Sequence, residues 1–564
     1  MEALDWLVIG VFFLALIGII VWVVRQKQND SADYFLGGRD ATWLAIGASI
    51  FASNIGSEHL IGLAGAGASS GMAMAHWEIQ GWMILILGWV FVPFYTRSMV
   101  YTMPEFLERR YNPQSRTILS VISLVSYVLT KVAVTVYAGG LVFQQVFGIK
   151  ELWGIDFFWI AAIGLVLITA LYTIFGGMKS VLYTSVLQTP ILLLGSLIIL
   201  VLGFKELGGW DEMMRVCGAV TVNDYGDTMT NLIRSNDDAN FPWLGALIGS
   251  AIIGFWYWCT DQFIVQRVLS GKNEMEARRG TIFGAYLKLL PVFLFLIPGM
   301  IAFALHQKYI GAGGEGFLPM LANGTANADA AFPTLVAKLL PAGVKGLVVC
   351  GILAALMSSL ASLFNSSAML FTIDFYKRFK PETPEKKLVG IGQIATIVIV
   401  VLGILWIPIM RSVGDVLYTY LQDVQSVLAP GIAAAFLLGI CWKRTSAQGG
   451  MWGLISGMVI GLTRLGAKVY YSNAGEVADS TFKYLFYDMN WLFFCGWMFL
   501  FCIIVVIVVS LATEAPTAEK IQGLVFGTAT KEQKAATRAS WNHWDIIHTV
   551  IILAITGAFY WYFW

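Results

Sequence analysis

Apolar runs of roughly membrane-spanning length follow one another along nearly the whole chain. A helix crosses the hydrocarbon core with about 20 apolar residues, and by that criterion the sequence holds about fourteen such runs. The first, near 5–25, follows Glu2 and Asp5 and has neither a basic leader nor a small-residue cleavage site. This favours a retained helix over a signal peptide. The pattern predicts an all-α polytopic membrane protein.

Polar residues and glycines interrupt one of these runs in the stretch FASNIGSEHLIGLAGAG, from Phe51 to Gly67. Gly is flexible, and Asn and Ser compete for backbone hydrogen bonds, so these residues weaken a helix interior. Loosened backbone at membrane depth needs protein or a cavity around it. Its carbonyl groups are then suitable ligands for a hard cation such as Na⁺. We therefore predict that the helix unwinds at 54–57 beside a midplane site, as in secondary transporters.

Composition supports a membrane protein. The 564 residues are 58% hydrophobic and 13% charged, with a mean hydropathy of +0.72, whereas soluble domains are about 25% charged. The net charge of +1 gives no indication of a nucleic-acid partner. The six cysteines match neither a disulfide framework nor a zinc site. Most Lys and Arg fall in loops that share one side if both termini lie outside, which agrees with the positive-inside rule.

A few ionisable residues fall inside the apolar runs, where a charge costs at least about 2.5 kcal/mol. Glu78 and Lys288 each lie several residues inside a run, which favours a functional role. Lys131 and Glu58 allow a simpler reading, an ion pair near one membrane face. Asp261 and Asp423 allow another, because charge is tolerated near helix ends. The serine run MSSLASLFNSS, Met357–Ser367, is compatible with helix packing and with ion binding alike.

An enzyme is not expected from this sequence. We find no nucleophile–base set, phosphate-binding loop or metal-ligand cluster, and no soluble segment large enough to house an active site.

Longer motifs carry a resemblance to a known family. The segments ASNIGSEHLIGLAGAG, YTMPEFLERRY, WYWCTDQFIVQRVLSGKN, YLKLLPVFLFLIPGMI and GICWKRTSAQGGMWGLISG occur in this order. They resemble the sodium/solute symporter family, and within it the sodium/glucose cotransporter branch of bacterial sodium/galactose and animal sodium/glucose cotransporters. The resemblance spans essentially the whole chain. It implies a LeuT-like core of two inverted five-helix repeats, 41–204 and 243–440, with peripheral helices at 5–25 and 449–564.

The resemblance also implies a substrate site and a sodium site. The substrate residues carried over by motif are Asn54, His59, Glu78, Tyr257, Trp258, Lys288 and Gln422. Together they offer the donors and acceptors that sugar hydroxyls need, and Tyr257 would stack on the pyranose ring. The sodium ligands carried over are the carbonyl oxygens of Ala52, Ile55 and Ala355 and the hydroxyls of Ser358 and Ser359.

Some positions depart from the pattern of the family. Ser185 stands in YTSVLQ where some members have the aspartate of a second sodium site, and Ala361 stands where a threonine is common. We therefore expect one Na⁺ per solute. Gly254 and Gly81 replace polar residues found in some relatives, which bears on which sugar is carried.

The sequence thus predicts a sodium-coupled symporter of a hexose such as glucose or galactose, embedded in the lipid bilayer. The alternatives are a symporter of myo-inositol or another small solute, and a non-transporting sugar sensor on the same fold. The compact loops favour the plasma membrane of a bacterium, its inner membrane. The sequence carries no signal for oligomeric state.

Overall fold

The computed structural model describes residues 1–26, 30–56, 58–321, 324–413, 417–473 and 478–564. Within these ranges the regular structure is almost entirely helical. The strands there are Glu151–Leu152 and Ile155–Asp156, which pair antiparallel with Glu151 opposite Asp156. The prediction of an all-α fold is confirmed.

Ten helices among the described residues are long and apolar enough to cross a membrane, so the predicted count of about fourteen is not confirmed. They are Ala3–Val24, Glu58–Ser98, Phe157–Leu207, Trp243–Thr260, Glu274–Gly311, Val344–Phe379, Glu385–Leu405, Gln422–Cys441, Trp491–Ala512 and His543–Tyr562. The number of spans differs partly because the structure joins some predicted spans into one helix and breaks others. The pattern of apolar residues indicates neither the joins nor the breaks. Trp43–Asn54, for example, has only 12 residues.

The helix Phe157–Leu207 shows how two predicted spans become one element. It has 51 residues, about twice the length that a bilayer needs. At Gly177 the backbone leaves helical geometry, with φ 53° and ψ −147°. A Cβ at this position would lie 2.4 Å from the carbonyl oxygen of Tyr34. Glycine therefore allows both the positive φ and the close approach, and the chain turns there between two spans.

Helices of various lengths and wider π turns make up these spans and the segments between them. Before residue 150 they are Ser31–Leu36, Ala64–Ser70, Ala75–Glu78, Gly81–Ile86, Val92–Ser98, Met103–Arg110, Pro113–Ser126 and Ala133–Phe147, with π turns at Glu58–Leu63, Leu87–Phe91 and Tyr127–Val132. After it they are Trp210–Gly218, Trp243–Gly254, Gln262–Leu269, Glu274–Lys288, Ile297–Gly311, Ala331–Leu339, Val344–Met369, Lys377–Phe379, Glu385–Val413, Leu417–Cys441, Ala447–Asn473, Thr481–Lys483, Ala518–Ile521 and Lys531–Ala539, with π turns at Phe255–Thr260, Val292–Leu296, Leu370–Tyr376 and Tyr484–Asp488. Short 3₁₀ turns lie at Gly37–Arg39, Gly71–Met74 and Ala328–Ala330.

Burial separates central helices from outer ones. The apolar window of Val344–Phe379 is 89% buried within the protein, whereas those of Ala3–Val24 and His543–Tyr562 are 22% and 17% buried. Val344–Met369 packs against Phe157–Leu207 and Trp43–Asn54, and Trp43–Asn54 packs against Glu274–Lys288. These contacts bring the four helices together at the centre of the protein. The repeat boundaries 41–204 and 243–440 stay a prediction.

Candidate substrate and sodium sites

The first of three helix breaks follows Asn54. The helix Trp43–Asn54 ends there, and Ile55 is extended, with φ −79° and ψ 108°. Helical turns resume at Glu58. A Cβ on Gly56 would lie 2.5 Å from Glu58 Oε2 and 3.1 Å from Ser359 Oγ, so glycine permits this close packing. The predicted unwinding is confirmed at residues 55 and 56, and Ser57 lies outside the described residues.

Two further irregularities occur in neighbouring helices. The short helix Ala75–Glu78 ends at Glu78, and the next one, Gly81–Ile86, begins after Gln80. The helix Trp243–Gly254 continues into the π turn Phe255–Thr260, which carries Tyr257 and Trp258. Single π turns inside α-helices are frequent at functional sites.

All seven residues predicted for the substrate line one cavity. Its empty space, including the part that is open at one side, is about 430 Å³. The lining residues from the prediction are Asn54, His59, Glu78, Tyr257, Trp258, Lys288 and Gln422. They come from six separate helical segments, so the cavity exists only because the broken helices pack together. The assignment of substrate contacts to these residues stays a prediction.

Five of these side chains form a connected polar network. The Nζ atom of Lys288 lies 2.6 Å from Glu78 Oε2 and 3.2 Å from Asn54 Oδ1. The Nδ2 group of Asn54 donates to the hydroxyl of Tyr257 at 3.1 Å, and His59 Nε2 lies 3.3 Å from Glu78 Oε2. The pairing of Glu78 with Lys288 offsets the high cost of burying either charge. It also orients both groups towards the cavity.

Three other polar atoms around the cavity are buried without a hydrogen-bond partner among the described residues. They are His59 Nδ1, Gln422 Oε1 and Trp77 Nε1. The indole N–H donates only, the amide oxygen accepts only, and the imidazole nitrogen does either, depending on its tautomer. Since an unsatisfied buried polar atom costs about 1–3 kcal/mol, these atoms favour a ligand that both donates and accepts.

A second cavity adjoins the first. Its lining shares Glu58, Tyr257, Gln422 and Gln425 with the first cavity, and it includes Lys131, Thr135, Phe263 and Ser359. Tyr257 therefore contacts both spaces. Its ring is also contacted by the Nζ atom of Lys131, at 4.8 Å from the centroid.

Lys131 is held by an ion pair with Asp261. The Nζ atom lies 2.6 Å from Asp261 Oδ2, and the hydroxyl of Tyr127 donates to Oδ1 of the same carboxylate. Asp261 also caps the helix Gln262–Leu269 by accepting from the backbone N–H of Phe263. The sequence suggested Glu58 as the partner of Lys131. The packing of these helices adds Asp261, and Glu58 lines the same cavity as Lys131 and interacts with it electrostatically. The reading of Asp261 as a helix-end residue is confirmed.

The predicted sodium ligands lie on two helices that pack together. Ala52 and Ile55 are at the end of Trp43–Asn54, while Ala355, Ser358 and Ser359 belong to Val344–Met369. The hydroxyls of Ser53 and Ser362 are 2.6 Å apart and join these two helices directly. The structure thus brings the two groups of residues to one place, and their role as sodium ligands stays a prediction.

Ser185 lies next to this place. Its hydroxyl donates to the carbonyl oxygen of Val181 at 2.6 Å and lies 3.3 Å from the hydroxyl of Ser358. A serine already bonded to its own helix supplies no negative charge. This position therefore lacks the carboxylate that an aspartate would offer to a cation.

Six residues that line this cavity were not among the predicted substrate contacts: Glu58, Trp77, Gln80, Ile253, Gly254 and Gln425. Trp77 and Gln80 lie close to Glu78 in the sequence, and this proximity is the feature that could have identified them as lining residues. His76, which lies next to them in the chain, does not belong to the site. It bonds the hydroxyl of Tyr560 at 2.9 Å and the carbonyl oxygen of Leu232 at 3.1 Å, as a structural histidine does.

Comparison with known proteins identifies the family. The model of the sodium:solute symporter family matches residues 34–457 of this chain. The chain belongs to the sodium:solute symporter family. It is a sodium-coupled solute symporter, with Na⁺ as the co-transported ion, and a transporter rather than an enzyme.

Curated relatives are similar over nearly the whole chain. Sodium/myo-inositol cotransporter 2 of Mus musculus is 37% identical over 542 residues, covering 94% of this chain and 80% of its own length. Sodium/glucose cotransporter 4 of Danio rerio is 36% identical over 537 residues, covering 92% of this chain and 80% of its own. Both figures agree with the resemblance seen in the motifs.

A solved structure shares the fold. It is that of a Na⁺-coupled sialic acid symporter in a substrate-bound outward-open state, with a TM-score of 0.73 and 22% sequence identity. The match covers 92% of this chain and 99% of the other. The LeuT-like transporter fold expected from the sequence is confirmed.

Proposed function

We propose that this symporter carries a six-membered ring bearing several hydroxyl groups, with a hexose of the glucose or galactose type as the first candidate. The observation that carries the proposal is the set of three unpartnered buried atoms, His59 Nδ1, Gln422 Oε1 and Trp77 Nε1, around one cavity. A hydroxyl group donates and accepts, so adjacent ring hydroxyls satisfy all three. An amino acid would instead call for separate carboxylate and amine contacts.

The remaining lining residues complete a site for such a ring. The carboxylate of Glu78 accepts hydrogen bonds, and Lys288 and Asn54 donate them while staying in place through their mutual contacts. The rings of Tyr257 and Trp258, with centroids 5.0 Å apart, present an apolar wall to the C–H face of the substrate. A few fixed polar groups on an aromatic wall are typical of small-molecule sites.

Myo-inositol is the second candidate, and the names of the relatives favour it. The mouse relative at 37% identity is a sodium/myo-inositol cotransporter, and the zebrafish relative at 36% is a sodium/glucose cotransporter. The two percentages do not separate the candidates. Both substrates are six-membered rings with hydroxyls at most positions, so the polar groups of the cavity suit either one.

For sodium, we propose the carbonyl oxygens of Ala52, Ile55 and Ala355 and the hydroxyls of Ser358 and Ser359. Neutral oxygens suit a monovalent cation. An ion held there would link the helix that ends at Asn54 to Val344–Met369. Because Asn54 also lines the substrate cavity, sodium binding would hold the cavity in its binding geometry. Coupling then follows from the higher substrate affinity of the sodium-bound state.

Transport also requires that the cavity open to one side at a time. We propose that Tyr257 and the Lys131–Asp261 pair close the inner side, because Tyr257 lines both cavities and the ion pair holds Lys131 beside its ring. We further propose the plasma membrane, with both termini outside and one Na⁺ carried per substrate.

The test is sodium-driven uptake by the purified chain in proteoliposomes, using glucose, galactose and myo-inositol. We expect saturable accumulation of at least one of them with Na⁺ outside and none when choline replaces Na⁺. Substrate-evoked currents without accumulation would indicate the non-transporting sensor instead. Failure of every ring polyol, with uptake of another sodium-coupled solute, would contradict the proposal.

A further inference from the structure

Gln80 lines the substrate cavity from the break that follows Glu78. Its side chain is buried, and its Nε2 group donates to the carbonyl oxygen of Ser250 at 2.8 Å. Since a carbonyl oxygen accepts and never donates, the nitrogen of this amide must face Ser250. The amide oxygen of Gln80 is therefore turned away from that contact and remains a hydrogen-bond acceptor.

Gly254, which also lines the cavity, lies directly against this amide. A Cβ at position 254 would lie 2.4 Å from Gln80 Oε1 and 2.8 Å from Gln80 Cδ. Any side chain at 254 would therefore occupy the space that the amide of Gln80 now fills. Gly254 is three residues before Tyr257 and ends the helix Trp243–Gly254. The two residues are complementary in size, and the absence of a side chain at one gives the other its place.

We propose that Gln80 determines substrate specificity by accepting a hydrogen bond from one ring hydroxyl, and that Gly254 holds its amide in the position to do so. This inference rests on the proposed ring-polyol function. A substrate lacking that hydroxyl, or carrying it in the opposite configuration, would leave the amide oxygen of Gln80 without this hydrogen bond. Sites built to bond a hydroxyl discriminate strongly against analogues without it.

A purely structural role would rest on the bond between Gln80 and Ser250 alone. That bond links the segment after Glu78 to the helix Trp243–Gly254 and would stabilise the protein whatever the substrate. The two roles predict different results when the substrate is varied. A structural role alters transport of all substrates alike, whereas the proposed role alters their ranking.

The test compares wild type with Gln80→Met, which keeps the length of the side chain but removes the amide. Sodium-driven initial rates are measured for glucose, galactose, myo-inositol and the glucose analogues that each lack one hydroxyl. We expect KM to rise roughly 3- to 10-fold for substrates that carry the recognised hydroxyl. It should change less than about twofold for the one analogue that lacks it. An equal change for every substrate, or no change for any, would overturn the proposal.

Gly254→Ala provides a second variant that leaves Gln80 itself in place. Its methyl group would displace the amide, so we expect the same change in ranking as for Gln80→Met. The double variant should be no worse than either single one, because both remove the same contact. Unaltered ranking in Gly254→Ala would overturn the proposal even if Gln80→Met failed to fold.

Ser250→Ala is the matched control, since it keeps the backbone carbonyl that Gln80 bonds. Among the described residues, the hydroxyl of Ser250 bonds the carbonyl oxygen of Leu247 alone, at 3.5 Å. We expect KM and ranking like those of wild type. The wild-type uptake itself tests the proposed function, and the ratio of variant to wild type tests Gln80. When wild type transports a ring polyol, the proposed function holds and the variants test the role of Gln80 independently. Absence of any ring-polyol uptake by wild type overturns both proposals.

Discussion

The Nζ atom of Lys288 lies 2.6 Å from Glu78 Oε2, although 210 residues separate the two in the chain. Their side chains are only 4% and 2% exposed. Removing one partner of a buried ion pair leaves the other charge uncompensated, at a cost of about 3–5 kcal/mol. The same pair lines the cavity proposed for the substrate, so its loss should affect folding and substrate binding together.

We expect Glu78→Ala to abolish saturable substrate uptake, because it removes the acceptor of the site and leaves Lys288 unpaired. It should also lower the thermal unfolding temperature in detergent. The double variant Glu78→Ala/Lys288→Ala should recover most of the unfolding temperature but no uptake, since the uncompensated charge is gone and the site is still incomplete. Normal uptake by Glu78→Ala would contradict the assignment.

Ser359→Ala is expected to raise the Na⁺ concentration for half-maximal uptake on the order of tenfold, as loss of a metal contact generally does. The maximal rate at saturating Na⁺ should change much less. Thr396→Ala is the control, because its buried hydroxyl bonds the carbonyl oxygen of Gly392 and the side chain of Tyr34, and neither residue is a proposed sodium ligand. An unchanged sodium dependence in Ser359→Ala would move the ion to another place.

The proposed coupling ratio makes a separate prediction for wild type. With Ser185 in place of an acidic residue, we expect one positive charge to enter with each substrate molecule. Reversal potentials measured on proteoliposomes at several substrate gradients give this ratio directly. Two charges per substrate would refute a single sodium site.

Asp261→Asn should weaken the closure of the inner side, because Lys131 loses the charge that holds it 2.6 Å away. We expect sodium-driven accumulation to fall several-fold, while exchange of labelled for unlabelled substrate is retained. The measurement is the ratio of accumulation to exchange in the same vesicles. Lys377→Ala is the control, since it breaks a partly exposed pair with Glu385. A proportional loss of both activities in Asp261→Asn would count against a gating role.

Much of this protein could be predicted from the chain alone, for a physical reason. A bilayer requires long apolar helices, so the pattern of apolar runs indicates an all-α membrane protein. Polar residues and glycines inside such a run destabilise a membrane helix. Asn54, Gly56, Glu78 and Lys288 are therefore candidates for function. The helix ends at Asn54, as that reasoning requires.

Tertiary packing decided what lies beside what. Lys131 bonds Asp261, 130 residues away, and no local pattern distinguishes that partner from Glu58. The specificity role proposed for Gln80 cannot be inferred from the sequence, because it depends on the missing side chain of Gly254 in another helix. Helix count is likewise a property of the fold, since Gly177 joins two predicted spans into one kinked element. The pattern of apolar residues indicates for each residue how much free energy its burial costs. Partners and cavities arise only when helices that are distant in the sequence pack together.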